Sequence, residues 1–221
     1  MWNEINTLFW KDVRLEWRQK YAFNGILLYI VSTVMVCYLS FNLKSKSLQP
    51  ITWNALYWII LLFTAVNAIA KSFVQESEQR HYYYYTLASP QAIILAKILY
   101  NALLMLFMES IAFVVYSTIL GNPVGDSSLF LLNMYLGGVG FATTLTLVSA
   151  IASKTQNSTS LMAVLSFPVV IPLLLMLIKV SKNALDDLSW SVSYAHLNSI
   201  LALNAIVLVL SYVLFPYIWR S

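Results

Sequence analysis

Residues 71–91 read KSFVQESEQRHYYYYTLASPQ and lie between two long apolar runs of the chain. This stretch carries charged side chains, which the interior of a bilayer accepts only when they are paired or hydrated. We therefore expect it to lie outside the hydrocarbon. We interpret it as a cytoplasmic coupling segment, at which a separate motor protein acts on the membrane helices.

The composition indicates an integral membrane protein. Of its 221 residues, 60% are hydrophobic and only 10% are charged, whereas a soluble domain carries about 25% charged residues. The formal net charge of +4 does not indicate a nucleic-acid partner, because the 13 Lys and Arg are scattered between apolar runs. The single cysteine, Cys37, excludes a disulfide framework, a CxxC motif and a CxxCH motif for covalent haem attachment.

Six stretches are long and apolar enough to cross a membrane as helices, which takes about 20 residues each. They cover residues 22–41, 51–70, 93–120, 129–152, 158–179 and 196–219. None of the connections between them is long enough for a folded soluble domain. We predict an all-α, polytopic membrane protein in which residues 22–221 form one six-helix domain. Lys97, near the start of the third span, is expected to snorkel to the membrane boundary.

The distribution of positive charge predicts the orientation. An even number of spans places both termini on one side, and cytoplasmic segments carry more Lys and Arg than outer ones. With the N-terminus inside, nine Lys and Arg are cytoplasmic and four are outside. The inner residues are Lys11, Arg14, Arg18, Lys20, Lys71, Arg80, Lys97, Lys154 and Arg220, and the outer ones are Lys44, Lys46, Lys179 and Lys182. We therefore predict that both termini and the coupling segment are cytoplasmic.

An amphipathic helix is predicted over residues 1–21. Apolar side chains recur at spacings of three and four, and charged ones fall on the opposite arc. The apolar arc comprises Trp2, Ile5, Phe9, Val13 and Trp17, and the opposite arc comprises Glu4, Lys11, Arg14 and Arg18. Such a helix lies in the plane of the membrane interface. The alternative is a charged tail that serves only as a positive-inside signal.

No motif for catalysis is recognisable, and we predict that the chain is not an enzyme. A phosphate-binding loop needs the pattern G-x-x-x-x-G-K-[ST], but the only Lys-Thr pair, Lys154-Thr155, is not preceded by a glycine-rich loop. The two histidines, His81 and His196, fall on opposite sides of the predicted membrane. We therefore predict neither a catalytic nor a metal site. An axial haem ligand at His196 is the alternative to an ordinary interfacial role.

Three residues inside predicted spans are candidates for an intramembrane cavity or gate. They are Glu109, Pro168 and Pro172. A carboxyl group within a span usually faces the bundle or a hydrated cavity, so Glu109 is either a gating group or a hydrogen-bonding group between helices. The two prolines bend a helix, and with the small-residue stripe Gly138, Ala142, Thr146 and Ala150 of the preceding span they predict either a hinge or static close packing.

Two further stretches outside the spans are candidates for contacts. The predicted coupling residues are Phe73, Glu76, Glu78, Arg80, Tyr82, Tyr83, Tyr84, Tyr85, Leu87 and Pro90. Exposed aromatic and charged side chains suit a protein interface, and the alternative for the tyrosines is an aromatic belt at the lipid headgroups. Residues 182–194, between the last two spans, predict either a short interfacial helix or a re-entrant turn.

Three stretches resemble a known family. They are LFWKDVRLEWRQ at 8–19, FVQESEQRHYYYYTLASPQAIILAKIL at 73–99 and LGGVGFATTLTLVSAIASKTQNSTSLMAVLSFPVVIPLLL at 136–175. Together with the six-span layout they resemble CcmB (haem exporter protein B), the membrane subunits of the bacterial cytochrome c maturation apparatus. The last stretch is the most specific, and the central one is shared more loosely with other ABC-type export permeases.

The resemblance implies an ABC-type export permease architecture in the bacterial inner membrane and a set of partners. These are a CcmA-like ATP-binding subunit, a CcmC-like haem-handling membrane subunit and a CcmE-like periplasmic haem chaperone. ATP would act through the first partner, haem would be a substrate instead of a bound cofactor, and the coupling region of the family falls on Phe73 to Pro90. The alternatives are a permease for a different substrate and a non-transporting assembly subunit.

Overall fold

A computed structural model describes residues 1–19, 21–42, 48–69, 71–74, 88–154 and 158–220, and regular secondary structure in these ranges is entirely α-helical. The helices, numbered in chain order, are α1 (Trp2–Gln19), α2 (Tyr21–Asn42), α3 (Pro50–Ile69), α4 (Lys71–Val74), α5 (Pro90–Leu120), α6 (Ser127–Ala152), α7 (Ser158–Leu185) and α8 (Trp190–Arg220).

The prediction of an all-helical polytopic membrane protein is confirmed. Six of the described helices, α2, α3, α5, α6, α7 and α8, are long and apolar enough to span a bilayer, and α1 is the expected N-terminal helix. The third span begins earlier than predicted, because Pro90, which suits the first turn of a helix, starts it directly after Ser89. The bundle exposes large apolar side chains such as Phe107, Phe167 and Val209, as a lipid-facing surface should.

Helix α6 is the centre of the bundle. Its span window is 72% buried, far more than that of any other described span, and α3, α5, α7 and α8 all pack around it. Three glycines permit this close approach. A Cβ added at Gly137 would stand 2.9 Å from the ring of Trp58 on α3, and one at Gly140 would stand 2.7 Å from Leu173 on α7. The small residues therefore allow α3, α5 and α7 to pack closely against three sides of α6.

Side-chain hydrogen bonds join α3, α6 and α7 in the half of the bundle away from α4. The indole of Trp58 and the amide of Asn133 both donate to the hydroxyl of Ser181, each at 2.8 Å. The Asn54 amide donates to the carbonyl of Ile178 at 3.0 Å. Because lipid offers no hydrogen-bond partners, such contacts hold the helices in one register.

The segment between the last two spans is neither an interfacial helix nor a re-entrant turn. Helix α7 continues to Leu185 and α8 begins at Trp190, so a four-residue turn joins them. Asp187 in this turn has a φ of 51°, a backbone conformation that Asp tolerates better than most residues. The Asn183 amide donates to the Ser193 hydroxyl at 2.9 Å and holds the two helix ends together.

Asp126 caps α6 on this side of the bundle. Its carboxylate accepts hydrogen bonds from the backbone N–H groups of Ser128 and Leu129, each at 3.0 Å, and from the Trp190 indole at 2.6 Å. The cap thus ties the start of α6 to the start of α8. These hydrogen bonds, led by the one from the Leu129 N–H, lower the pKa of the Asp126 carboxyl below its usual value.

Replacing Asp126 with Ala is expected to lower the midpoint of thermal unfolding in detergent, because the cap and the link to Trp190 are both lost. Since the folded pKa is depressed, the stabilisation is complete above the ordinary value of 3.8 and is lost as the pH falls further. The difference from wild type should therefore shrink in acid. Asp186→Ala, an exposed neighbour in the turn, is the control and should match wild type; equal midpoints for Asp126→Ala and wild type at neutral pH would contradict the assignment.

Candidate functional site

Both described ends of the coupling segment are tied to the bundle. Ser72 and Phe73 of α4 meet α5, α6 and α8, and Ser89, just before α5, meets α1. Of the predicted coupling residues, Phe73 and Pro90 belong to the described part of the chain. The others, Glu76, Glu78, Arg80, Tyr82, Tyr83, Tyr84, Tyr85 and Leu87, lie outside the described residues, and their role stays a prediction.

Phe73 lies inside the bundle. Its side chain is 1% exposed, and its ring packs against that of Phe215 on α8 with centroids 5.5 Å apart. The ring of Phe215 packs in turn against Trp219 at 5.4 Å. The Phe73 N–H donates to the Ser149 hydroxyl of α6 at 3.4 Å. Phe73 is therefore placed to anchor the segment, since it is too buried to present its ring to a partner.

Lys97 on α5 holds the backbone of α4. Its ammonium donates to the carbonyl oxygen of Ser72 at 2.8 Å and stands 4.9 Å from the centre of the Phe73 ring. It also lies 3.9 Å from the Asp12 carboxylate of α1. The side chain is only 7% exposed. Lys97 does not snorkel to water as the sequence suggested, because an acceptor carbonyl and a carboxylate lie within reach inside the protein.

Asn101, one turn further along α5, holds the side chain of Ser72. Its amide donates to the Ser72 hydroxyl at 3.1 Å and to the Thr146 hydroxyl of α6 at 2.8 Å. Asn101 is 1% exposed. We call Ser72 and Phe73, with Lys97, Asn101 and Ser149, the Ser72 anchor. It connects α4 to α5 and α6 through buried polar contacts, which are costly to break once desolvated.

The other end of the segment is held by α1. The Glu4 carboxylate accepts hydrogen bonds from the N–H and the hydroxyl of Ser89, at 3.0 and 2.8 Å. The terminal amine of Met1 lies 3.1 Å from the same carboxyl group. These contacts, led by the bond from the Ser89 N–H, lower the pKa of Glu4 to about 2. We call this contact the Ser89 anchor; sequence reasoning missed it because its partners are 85 residues apart.

Glu109 lies in the interface between α5 and α6. Its side chain is 0% exposed, and neither carboxyl oxygen has a hydrogen-bond partner among the described residues. The carboxyl group rests on Gly138, where an added Cβ would come within 2.6 Å of Cδ and Oε1. The hydrogen bond to a neighbouring helix, one of the two roles considered for Glu109, is therefore not seen among the described residues. An unpaired carboxyl at this depth is costly when ionised.

The prolines of α7 lie apart from Glu109. Helix α7 is continuous through Pro168 and Pro172, and both prolines are exposed on its outer side. The structure thus brings together Glu109 and Gly138 but does not bring the prolines to them. Among the described residues no group of three or more His, Cys, Asp and Glu could hold a metal ion.

The described part of the chain, with six helices that can span a membrane, an amphipathic N-terminal helix and a segment held at both ends, defines a multi-pass membrane protein. More particularly, the chain belongs to the CcmB family, whose model, described as CcmB protein, matches residues 3–217. The resemblance drawn from the sequence is thereby confirmed. Proteins of this family are membrane components of the ABC-type system for cytochrome c maturation and haem export. No curated protein sequence matches the chain significantly.

Replacing Gly138 with Ala is expected to destabilise the protein by about 1–3 kcal/mol, because the new methyl group overlaps the Glu109 carboxyl. The double variant Glu109→Ala/Gly138→Ala should recover much of the lost stability, since it removes the carboxyl group that the new methyl group overlaps. Thermal unfolding in detergent measures both effects. Gly25→Ala is the matched control, because a Cβ there meets nothing within 4 Å. Equal losses for Gly138→Ala and Gly25→Ala would contradict the contact.

Proposed function

We propose that this chain transmits ATP-driven motion from a separate ATP-binding subunit through the membrane during cytochrome c maturation. The motor would be a CcmA-like ATPase docking on residues 71–91. The ATP-driven motion would release a haem-loaded, CcmE-like chaperone, and a CcmC-like haem-handling subunit would act together with this chain. The chain itself supplies no catalytic group in this scheme.

The observation that carries the proposal is the Ser72 anchor. A push on the coupling segment reaches Ser72, whose carbonyl and hydroxyl are held by two side chains of α5. Asn101 also donates a hydrogen bond to Thr146 on α6, so a displacement of Ser72 is transmitted to the helix around which the bundle packs. A movement at this end would therefore displace the central helix instead of bending a free loop.

The packing around Glu109 favours transmission over transport. A substrate pathway would need polar groups along an open cavity, whereas Glu109 is fully enclosed and rests directly on α6. Haem export through the bundle is the second candidate function. The two oxygens of Glu109, which have no hydrogen-bond partner among the described residues, favour it, because a carboxyl group in a closed gate would lack the polar partner that it gains on opening.

The arrangement of the helix ends supports a cytoplasmic location for both termini, in the bacterial inner membrane. Glu4 near the N-terminus contacts one end of the coupling segment, and Phe215 near the C-terminus contacts the other. Both termini therefore lie at the same end of the bundle as Phe73 and Ser89, the described ends of the coupling segment. The excess of Lys and Arg at this end supports its assignment to the cytoplasm.

The proposal is tested by co-expressing the chain with its cognate ATP-binding subunit and comparing wild type with Glu76→Ala/Glu78→Ala. We expect co-purification of the ATPase to weaken roughly tenfold, as it does when charged interface groups are removed. Stimulation of ATP hydrolysis should fall with it. The measurements are the bound ATPase per membrane subunit and the rate of phosphate release.

The control removes two carboxylates at the other end of the bundle, in Asp186→Ala/Asp187→Asn, where Asn suits the positive φ of position 187. It should bind and stimulate the ATPase like wild type. All variants should elute as single symmetrical peaks, which shows that they remain folded. Unchanged binding and turnover in Glu76→Ala/Glu78→Ala would refute the coupling role of the segment.

A further inference from the structure

The acidic and basic side chains of α1 make different contacts. Each of its carboxylates is directed toward other parts of the chain: Glu4 accepts from Ser89, Asp12 lies near Lys97 and Glu16 accepts from the Phe23 N–H at 3.1 Å. The Asp12 carboxylate therefore faces α5. Glu4 shares an arc with Lys11, Arg14 and Arg18, but its carboxylate is taken up by Ser89. The basic residues of α1 are left on another surface.

That other surface is a basic groove. We give this name to the surface of α1 lined by Asn6, Thr7, Trp10, Lys11, Arg14, Leu15 and Arg18, which borders an open volume of about 630 Å³. Arg14 and Arg18 are exposed and one helical turn apart, so their guanidinium groups share one face. Lys11 is paired with Asp12 at 2.9 Å, whereas no carboxylate of the described residues forms an ion pair with either arginine.

Helix α1, which carries the groove, lies beside the starts of two spanning helices. Helix α1 precedes α2, a spanning helix that begins at Tyr21, and Ile5 of α1 packs against Ala92 and Ala96 in the first turns of another spanning helix, α5. The Trp10 indole is 52% exposed beside the arginines. Trp favours the headgroup level, where its amphipathic ring meets both water and acyl chains.

From these observations we infer that the basic groove binds the phosphate headgroup of an anionic phospholipid. Arginine presents several N–H donors in a geometry that matches a phosphate, and anionic headgroups attract basic residues close to a membrane surface. Trp10 covers the glycerol end of the lipid, while Arg14 and Arg18 hold its phosphate. The bound lipid keeps α1 on the membrane while Glu4 retains Ser89. This site is independent of the proposed coupling to an ATPase.

The experiment is native mass spectrometry of the purified full-length protein, titrated with phosphatidylglycerol or with phosphatidylcholine in detergent. Wild type should retain phosphatidylglycerol in preference to phosphatidylcholine. In Arg14→Gln/Arg18→Gln the affinity for phosphatidylglycerol should drop roughly fivefold for each arginine removed. Arg14→Lys/Arg18→Lys should keep most of the charge-dependent affinity and lose the part that depends on the guanidinium shape.

The matched control is Lys179→Gln/Lys182→Gln, which removes two positive charges near the far end of α7 and should bind lipid like wild type. If the double arginine variant cannot be purified, the single variants Arg14→Gln and Arg18→Gln serve in its place. Equal retention of both lipids by wild type would overturn the inference, as would equal loss in the control. Weaker binding of the ATPase by the arginine variant with unchanged lipid binding would also overturn it, since the groove would then be a protein interface.

Discussion

A polar group buried in a membrane bundle must find its partner within the protein, and this constraint organises the structure around α6. At one end, the Ser181 hydroxyl accepts hydrogen bonds from the side chains of Trp58 and Asn133. At the other end, Asn101 joins Ser72 to Thr146. These two polar layers fix the helices in register at both ends, and the glycines of α6 close the apolar interior between them. Glu109 is a buried carboxyl group that meets Gly138 without a polar partner among the described residues.

Hydropathy predicts the spans well, because a bilayer demands about 20 apolar residues per helix whatever the helix packs against. It does not predict which side of a helix meets which neighbour. Lys97 was therefore expected to reach water, although an acceptor carbonyl on α4 lies 2.8 Å away. The Ser89 anchor was missed for the same reason, since its partners are distant in the chain. The turn after α7 was misjudged because polar residues such as Asn183 extend a helix beyond its apolar part.

Helix α1 carries acidic and basic residues that alternate along its sequence and make different contacts. Its carboxylates bind inward, so that Glu4 holds one end of the coupling segment while Asp12 stands beside the lysine that holds the other. Its arginines, Arg14 and Arg18, are exposed. The helix therefore connects the membrane surface with both ends of the segment through which motion is proposed to enter. A charged tail that acted only as a topology signal would need none of these contacts.

The most direct test of the central claim measures how many haem-loaded chaperones are released per ATP hydrolysed, in the reconstituted complex, for wild type and for Lys97→Met/Asn101→Leu. These changes remove the side chains that hold Ser72 while leaving residues 76–87 intact. The account predicts that the ATPase still binds and still hydrolyses ATP but that release per ATP falls severalfold. Release per ATP equal to that of wild type would contradict transmission through the Ser72 anchor.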